Sequence, residues 1–192
     1  MKKLFFALSV CLCALGCSQQ KHSNPHILIV TKMGDIEVEL YPEKAPKTVA
    51  AFLSYVESDF YTSSSFYRVV MLEGFNTAGN VGLIQGGIWQ TSDKQHPSVP
   101  GIVHESTKQT GLSHTDGTIS LARTTIGTAS TEFFICIGDQ TQFNYGNGAD
   151  SLGFAAFGSV LKGMDVVRKI QQQRAHEQHF IEKIVIEKIR RI

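Results

Sequence analysis

Arg68 follows two aromatic residues in Ser65-Phe66-Tyr67-Arg68-Val69-Val70 and opens an apolar run. An arginine whose neighbours belong in a core sits at the rim of something hydrophobic. It stays charged at any ordinary pH and offers its donors in a fixed plane. Downstream come Leu83-Ile84-Gln85-Gly86-Gly87, Gly117-Thr118-Ile119-Ser120-Leu121-Ala122-Arg123 and Glu132-Phe133-Phe134-Ile135-Cys136. A cation on an apolar wall, with neither nucleophile nor metal, suits one reaction: rotation about an X–Pro amide. Amide resonance opposes that rotation with a barrier of ~18–20 kcal/mol, and uncatalysed exchange at proline is slow. A catalyst must bind the twisted amide better than either planar form. A donor aimed at the prolyl nitrogen does this, because the lone pair is freed as resonance is lost. An apolar pocket that grips the ring and excludes water strengthens the donor.

These residues need a rigid frame. His26 to Thr31 reads as an apolar strand, Lys32-Met33-Gly34-Asp35 as a turn, and Ile36 to Leu40 alternates with period two, which makes a hairpin with one buried face. Pro46 suits the first turn of a helix, and Val49, Phe52, Leu53 and Val56 recur at helical spacing, giving a helix from about Pro46 to Ser58. Ser65 to Met71 is a strand, and Leu72 to Gly82, rich in Gly and Asn, reads as a loop. Further strands fall near Leu83–Gln85, Thr118–Ala122, Phe133–Ile137 and Phe154–Val160. A second helix follows Lys162-Gly163-Met164-Asp165, with Val166, Val167 and Ile170 on its apolar side. At the C-terminus Ile181, Ile184, Val185, Ile189 and Ile192 fit a helical stripe, yet the segment is dense in β-branched residues that favour strands. Many short strands, two helices and long polar connections indicate a mostly-β barrel with helical caps.

The first seventeen residues read as a leader rather than as part of the fold. Lys2 and Lys3 precede an apolar run, Leu4 to Leu15, that is too short to stay across a bilayer. The run ends in Ala14-Leu15-Gly16-Cys17-Ser18, which resembles a bacterial lipoprotein signal with Cys17 as the lipid-modified residue. The alternative is an ordinary secretory peptide cut near the same place. Acyl chains on Cys17 would hold the protein to a membrane of the cell envelope, facing the periplasm. Residues 18–25 form a polar tether, and residues 26–192, roughly 167 in number, suffice for one domain with its own core. Of 18 basic and 17 acidic residues, removal of Lys2 and Lys3 leaves sixteen against seventeen. That balance directs the mature chain neither to nucleic acid nor to an anionic membrane face. Three of the four cysteines lie in the leader, so Cys136 reads as a small core hydrophobe.

The segments Pro46-Lys47-Thr48-Val49-Ala50-Ala51-Phe52-Leu53, 66–70, 84–87, 117–123, 132–138 and 154–167 resemble, in order, the cyclophilin family of peptidyl-prolyl cis–trans isomerases. The resemblance spans essentially all of residues 26–192. It implies a closed eight-stranded antiparallel barrel capped by two helices, with the C-terminus as a closing strand. It implies that Arg68 is the catalytic donor, that Gln85 binds substrate backbone and orients Arg68, and that Phe134 floors the proline pocket. Leu83, Phe143 and Phe154 fall at other wall positions, and Ala122 and Arg123 in the groove for the residues before proline. The expected partners are proline-containing polypeptides met by a monomer during folding of exported proteins, with no cofactor or metal.

The chain also departs from the family pattern. Tyr67 stands where the family usually has His, Glu132 where Gln is common, Gln142 where some members carry the Trp linked to cyclosporin binding, and Phe154 where His is frequent. Sixteen residues separate Arg68 from Gln85, about nine more than usual, and Gly82 takes the place of a pocket Phe that Phe75 in the insertion could supply. Two alternatives follow: Arg68 as a structural ion pair with Glu132, and the whole domain as a non-catalytic peptide-binding or chaperone module on the same fold. His176 and His179 are the tight histidine pair, and with no Cys or acidic cluster at ligand spacing they read as solvated.

Overall fold

The computed structural model describes residues 24–72, 81–89, 99–148 and 150–192. Residues 1–17 with Cys17, read above as a leader, most of the expected tether, and Phe75 lie outside the described residues. β1 (His26–Thr31) and β2 (Gly34–Leu40) form the expected hairpin, with Ile27 facing Val38 and Ile29 facing Ile36. α1 (Pro46–Glu57) carries Pro46 at its start, where a missing N–H costs nothing. Ala45 at the cap offers no side-chain acceptor, and Glu105 supplies one from far along the chain. Its carboxylate accepts from Thr48 N at 2.8 Å, Thr48 Oγ1 at 2.7 Å and Lys47 N at 3.2 Å, satisfying donors that the helix itself leaves open.

β3 (Ser64–Leu72), β4 (Val81–Gly87), β5 (Thr118–Leu121), β6 (Phe133–Ile137) and β7 (Ala155–Lys162) follow, with a short helix α2 (Thr107–Thr110) in the connection after β4. α3 (Met164–Gln171), β8 (Ala175–His176) and β9 (His179–Arg191) complete the chain. The strands lie in the order β1-β2-β7-β5-β6-β4-β3-β9, and β9 pairs back onto β1. This is the expected closed eight-stranded antiparallel barrel, with β8 as an added two-residue strand and α2 as a third, minor helix. α1 packs against β7 and β9, and α3 against β2, β4 and β6.

Alternation sends Ile84, Phe133 and Ile135 into the barrel, where Phe52 of α1 meets Tyr61, Phe133 and Phe157 at ring separations of 5.2, 5.8 and 5.0 Å. The same alternation sends Leu83, Phe134 and Cys136 to the outer face, where they form a second buried cluster with Val70, Ala122, Phe143 and Phe154. Phe133 therefore belongs to the barrel interior and Phe134 to the outer cluster, although both are nearly inaccessible to water. In α3 Val167 and Ile170 are buried, whereas Val166 is half-exposed.

The C-terminal segment is a strand despite its helical stripe. β9 pairs with β3 and β1 in turn, and its register slips between Ile186 and Lys188. The unpaired Glu187 lets Ile186 and Ile189 both face inward, three residues apart. Of the apolar stripe only Ile189 is buried; Ile181, Val185 and Ile192 are exposed, and the inward face is instead Phe180, Ile186 and Ile189.

Candidate active site

β3 carries a bulge at Tyr67. Phe66 pairs with Gly86 and Arg68 pairs with Gln85, so Tyr67 has no partner of its own. Without the extra residue Arg68 would share the inward face of Phe66. With it, Tyr67 and Arg68 both leave the barrel interior, while Phe66 and Val69 remain in the core. Arg68, Gln85, Phe134 and Ser120 then lie opposite one another in a row across β3, β4, β6 and β5. Cross-strand neighbours on one face interact directly.

Arg68 is held from two sides. Its Nη1 donates to Gln85 Oε1 at 3.0 Å, while Nε and Nη2 donate to Gln178 Oε1 at 3.1 and 2.6 Å. Gln85 Nε2 in turn donates to the Tyr67 hydroxyl at 2.7 Å, and Tyr67 donates to Glu132 Oε2 at 2.7 Å. Glu132 Oε1 accepts from Ile88 N at 2.9 Å, Trp89 N at 3.0 Å and Thr131 Oγ1 at 3.1 Å. The Glu132 carboxylate is thus engaged by these groups rather than by Arg68, and the ion-pair alternative for Arg68 does not form. Burial pushes the Glu132 carboxyl above its ordinary range, opposed by the hydrogen bonds from Tyr67 and Trp89. Burial, reinforced by the Glu132 charge, pushes the Tyr67 phenol well above its usual range, so Tyr67 keeps its proton.

Gln178 escaped the sequence reading. It sits in the two-residue loop between His176 and His179, which pair across the hairpin. Glu177 and Gln178 both have positive φ, 48° and 68°, the conformation of a type I′ turn, which ordinarily carries Asn-Gly. Neither residue announces that turn, and Gln178 lies 110 residues from Arg68. The two histidines stand exposed at the ends of β8 and β9.

The predicted residues Arg68, Gln85, Phe134, Leu83, Ala122, Arg123, Phe143 and Phe154 all line one cavity of about 610 Å³. Phe134, Phe143 and Phe154 form a mutual edge-to-face triad with ring separations of 5.6, 5.5 and 5.4 Å, the arrangement that aromatic quadrupoles favour. His114 lies beneath, nearly parallel to Phe134 at 5.9 Å. Its Nδ1 donates to Asn144 Oδ1 at 2.7 Å and its Nε2 accepts from Ser120 Oγ at 2.9 Å. Burial lowers its pKa to about 4, so the ring stays neutral. Arg123 is less a free cation than a wall. Its guanidinium lies 5.0 Å over the Phe154 ring, and Nη2 donates to Asp150 at 2.7 Å and to the Gly153 carbonyl at 2.6 Å.

The position of Gly82 admits no side chain at all, because a Cβ there would fall on the Val70 carbonyl. Val70 and Leu72 line the cavity instead, together with Trp89. Gln142 also lines it, its amide donating to Gln140 Oε1 at 2.7 Å. Gly87 explains part of the Gly-Gly motif: its φ is 148°, and a Cβ would overlap the Glu132 carboxyl.

The family model described as cyclophilin type peptidyl-prolyl cis-trans isomerase/CLD matches residues 26–191. The chain is 37% identical over 151 residues to peptidyl-prolyl cis-trans isomerase A of Dickeya dadantii, covering 78% of this chain and 73% of that protein. It is 36% identical over 164 residues to a peptidyl-prolyl cis-trans isomerase of Acinetobacter baylyi, covering 85% and 80%. The fold is similar to that of a cyclophilin type isomerase from Cryptosporidium parvum, with a TM-score of 0.68, 22% identity, and coverage of 88% and 98%.

Proposed function

The chain belongs to the cyclophilin-type peptidyl-prolyl cis–trans isomerase family, and from that membership we propose that it rotates X–Pro amides with Arg68 as donor to the prolyl nitrogen. The observation that carries this reading is the way Arg68 is held. Three of its five N–H groups are engaged by Gln85 and Gln178, which leaves two for substrate at the edge of an apolar cavity. A proline ring seated against Phe134, Phe143, Phe154 and Leu83 would lie within reach of that guanidinium. As the amide twists, resonance is lost and the nitrogen lone pair becomes an acceptor. Arg68 then binds the twisted form better than either planar one. The second N–H of Gln85 Nε2 is available for a substrate carbonyl, so one side chain serves both substrate and Arg68.

We also place the protein at the bacterial cell envelope, anchored through a lipid on Cys17, where its substrates are exported polypeptides. The residues that support this are the charged start, the short apolar run and the Gly16-Cys17 junction. An NMR exchange or protease-coupled assay on an Ala-Pro peptide tests the activity. Folded protein with no rate above background would leave the peptide-binding reading in its place. Cys17→Ser should release the protein to the soluble fraction, and continued retention by the membrane would count against the anchor.

A further inference from the structure

The hydrogen bonds behind Arg68 all run in one direction. At one end stands a guanidinium, which only donates, and at the other a carboxylate, which only accepts. Between them lie Gln85 and Tyr67, each able to do either. With the Glu132 carboxyl ionised, Oε2 can only accept, so the Tyr67 O–H must point to it. The Tyr67 oxygen is then left as the acceptor for Gln85 Nε2, which turns Gln85 Oε1 toward Arg68. With the amide reversed, Nε2 would face Arg68 Nη1, donor against donor.

We infer that Glu132, acting through Tyr67, is a positioning residue for Arg68, its acceptor-only carboxylate setting the orientation of the Gln85 amide that holds the guanidinium. The inference rests on Arg68 being the donor in the reaction. Three features of the fold serve it. Ile88 N, Trp89 N and Thr131 Oγ1 converge on Oε1 and fix the carboxyl group. Gly87 leaves the space that the carboxyl occupies. The β3 bulge brings Tyr67 out of the barrel beside Arg68.

An isosteric change at Glu132 therefore reverses the relay. In Glu132→Gln the amide oxygen stays with the two backbone N–H groups, and the new NH2 faces Tyr67. Tyr67 must then donate to Gln85, and the Gln85 amide must turn its own NH2 toward Arg68. Removing a buried charge would ordinarily be mild. Here it should lower kcat by on the order of tenfold, as for one misdirected charge-assisted bond, with KM within about twofold because Glu132→Gln keeps the shape of the cavity that Glu132 helps to line and leaves Phe134, Phe143 and Phe154 in place.

The test is a double-mutant cycle read by kcat and KM on an Ala-Pro peptide, with Glu132→Gln, Tyr67→Phe and the pair. Tyr67→Phe should lower kcat by a similar factor, and adding Glu132→Gln to it should change nothing further, since the link is already cut. Two single effects that multiply in the pair, or Glu132→Gln turnover within about twofold of wild type, would overturn the proposal. Tyr67→Phe leaves the Glu132 bonds to Ile88 and Trp89 in place, so it tests the link even if Glu132→Gln folds poorly. A side-chain NMR readout separates this proposal from the role of Arg68 itself. The Gln85 amide and Arg68 Nε–H resonances should shift in both variants whether or not Arg68 is catalytic, and unmoved resonances would refute the relay.

Discussion

Gln178→Gly should lower activity while leaving stability almost unchanged. Gln178 is exposed and sits at φ 68° in a tight hairpin loop. A side chain in that region costs ~1–2 kcal/mol, which Gly recovers, less ~0.5–1 kcal/mol for the freer unfolded chain. The lost bonds to Arg68 are solvent-exposed and cost about 0.5–1 kcal/mol at such a site. These contributions cancel to within about 1 kcal/mol. The backbone bond from Val69 N to Gln178 O, 2.8 Å, survives the change. Activity has no such compensation. Two of the three bonds that hold Arg68 disappear, and Arg carries ~2 kcal/mol of rotamer entropy. Restoring most of that freedom should lower kcat/KM by roughly tenfold. Urea unfolding and the Ala-Pro exchange rate, measured on the same preparation, check both halves. Turnover within twofold of wild type, or a loss of rate that merely tracks a loss of stability, would refute the role given to Gln178.

Two further changes probe the frame around the site. His114 has a pKa lowered from 6.5 to about 4 by burial: the unfolded chain takes up that proton below pH 6.5 and the folded protein only near pH 4. Its contribution is complete above pH 6.5 and is lost as pH falls, by about 3 kcal/mol at pH 4, and urea unfolding at several pH values should show a flatter profile in His114→Gln. Gly87→Ala places a Cβ on the Glu132 carboxyl and should cost on the order of 2 kcal/mol through overpacking together with much of the activity. A thermal melt equal to that of wild type would show that the carboxyl can move aside.

The hairpin of β1 and β2, the helix at Pro46 and the inner and outer faces of β6 follow directly from local pattern. The eight lining residues were legible for a different reason, because their motifs resemble those of a known family in the same order. What the sequence concealed was set by bulges and by distance. The bulge at Tyr67 moves Arg68 out of line with Phe66, which no alternation pattern reveals. The slip at Glu187 turns Ile186 and Ile189 inward together, while Ile181, Val185 and Ile192 of the apolar stripe stay exposed, so the stripe did not mark the buried face. Gln178 reaches Arg68 from a turn without the usual glycine, and the cap on α1 comes from Glu105, far along the chain. Glu132 and Tyr67 appeared as two separate departures from the family, and only their 2.7 Å contact joins them.

Arg68→Ala bears most directly on the proposed chemistry. The side chain lies half-exposed on the outer face of β3, so its removal should leave the melt and peptide affinity close to those of wild type. The exchange rate on an Ala-Pro peptide should fall by roughly 10²–10³, the loss typical of one aimed donor in a water-poor site. A folded Arg68→Ala protein that still turns over within a few-fold of wild type would contradict the assignment of Arg68 as the donor.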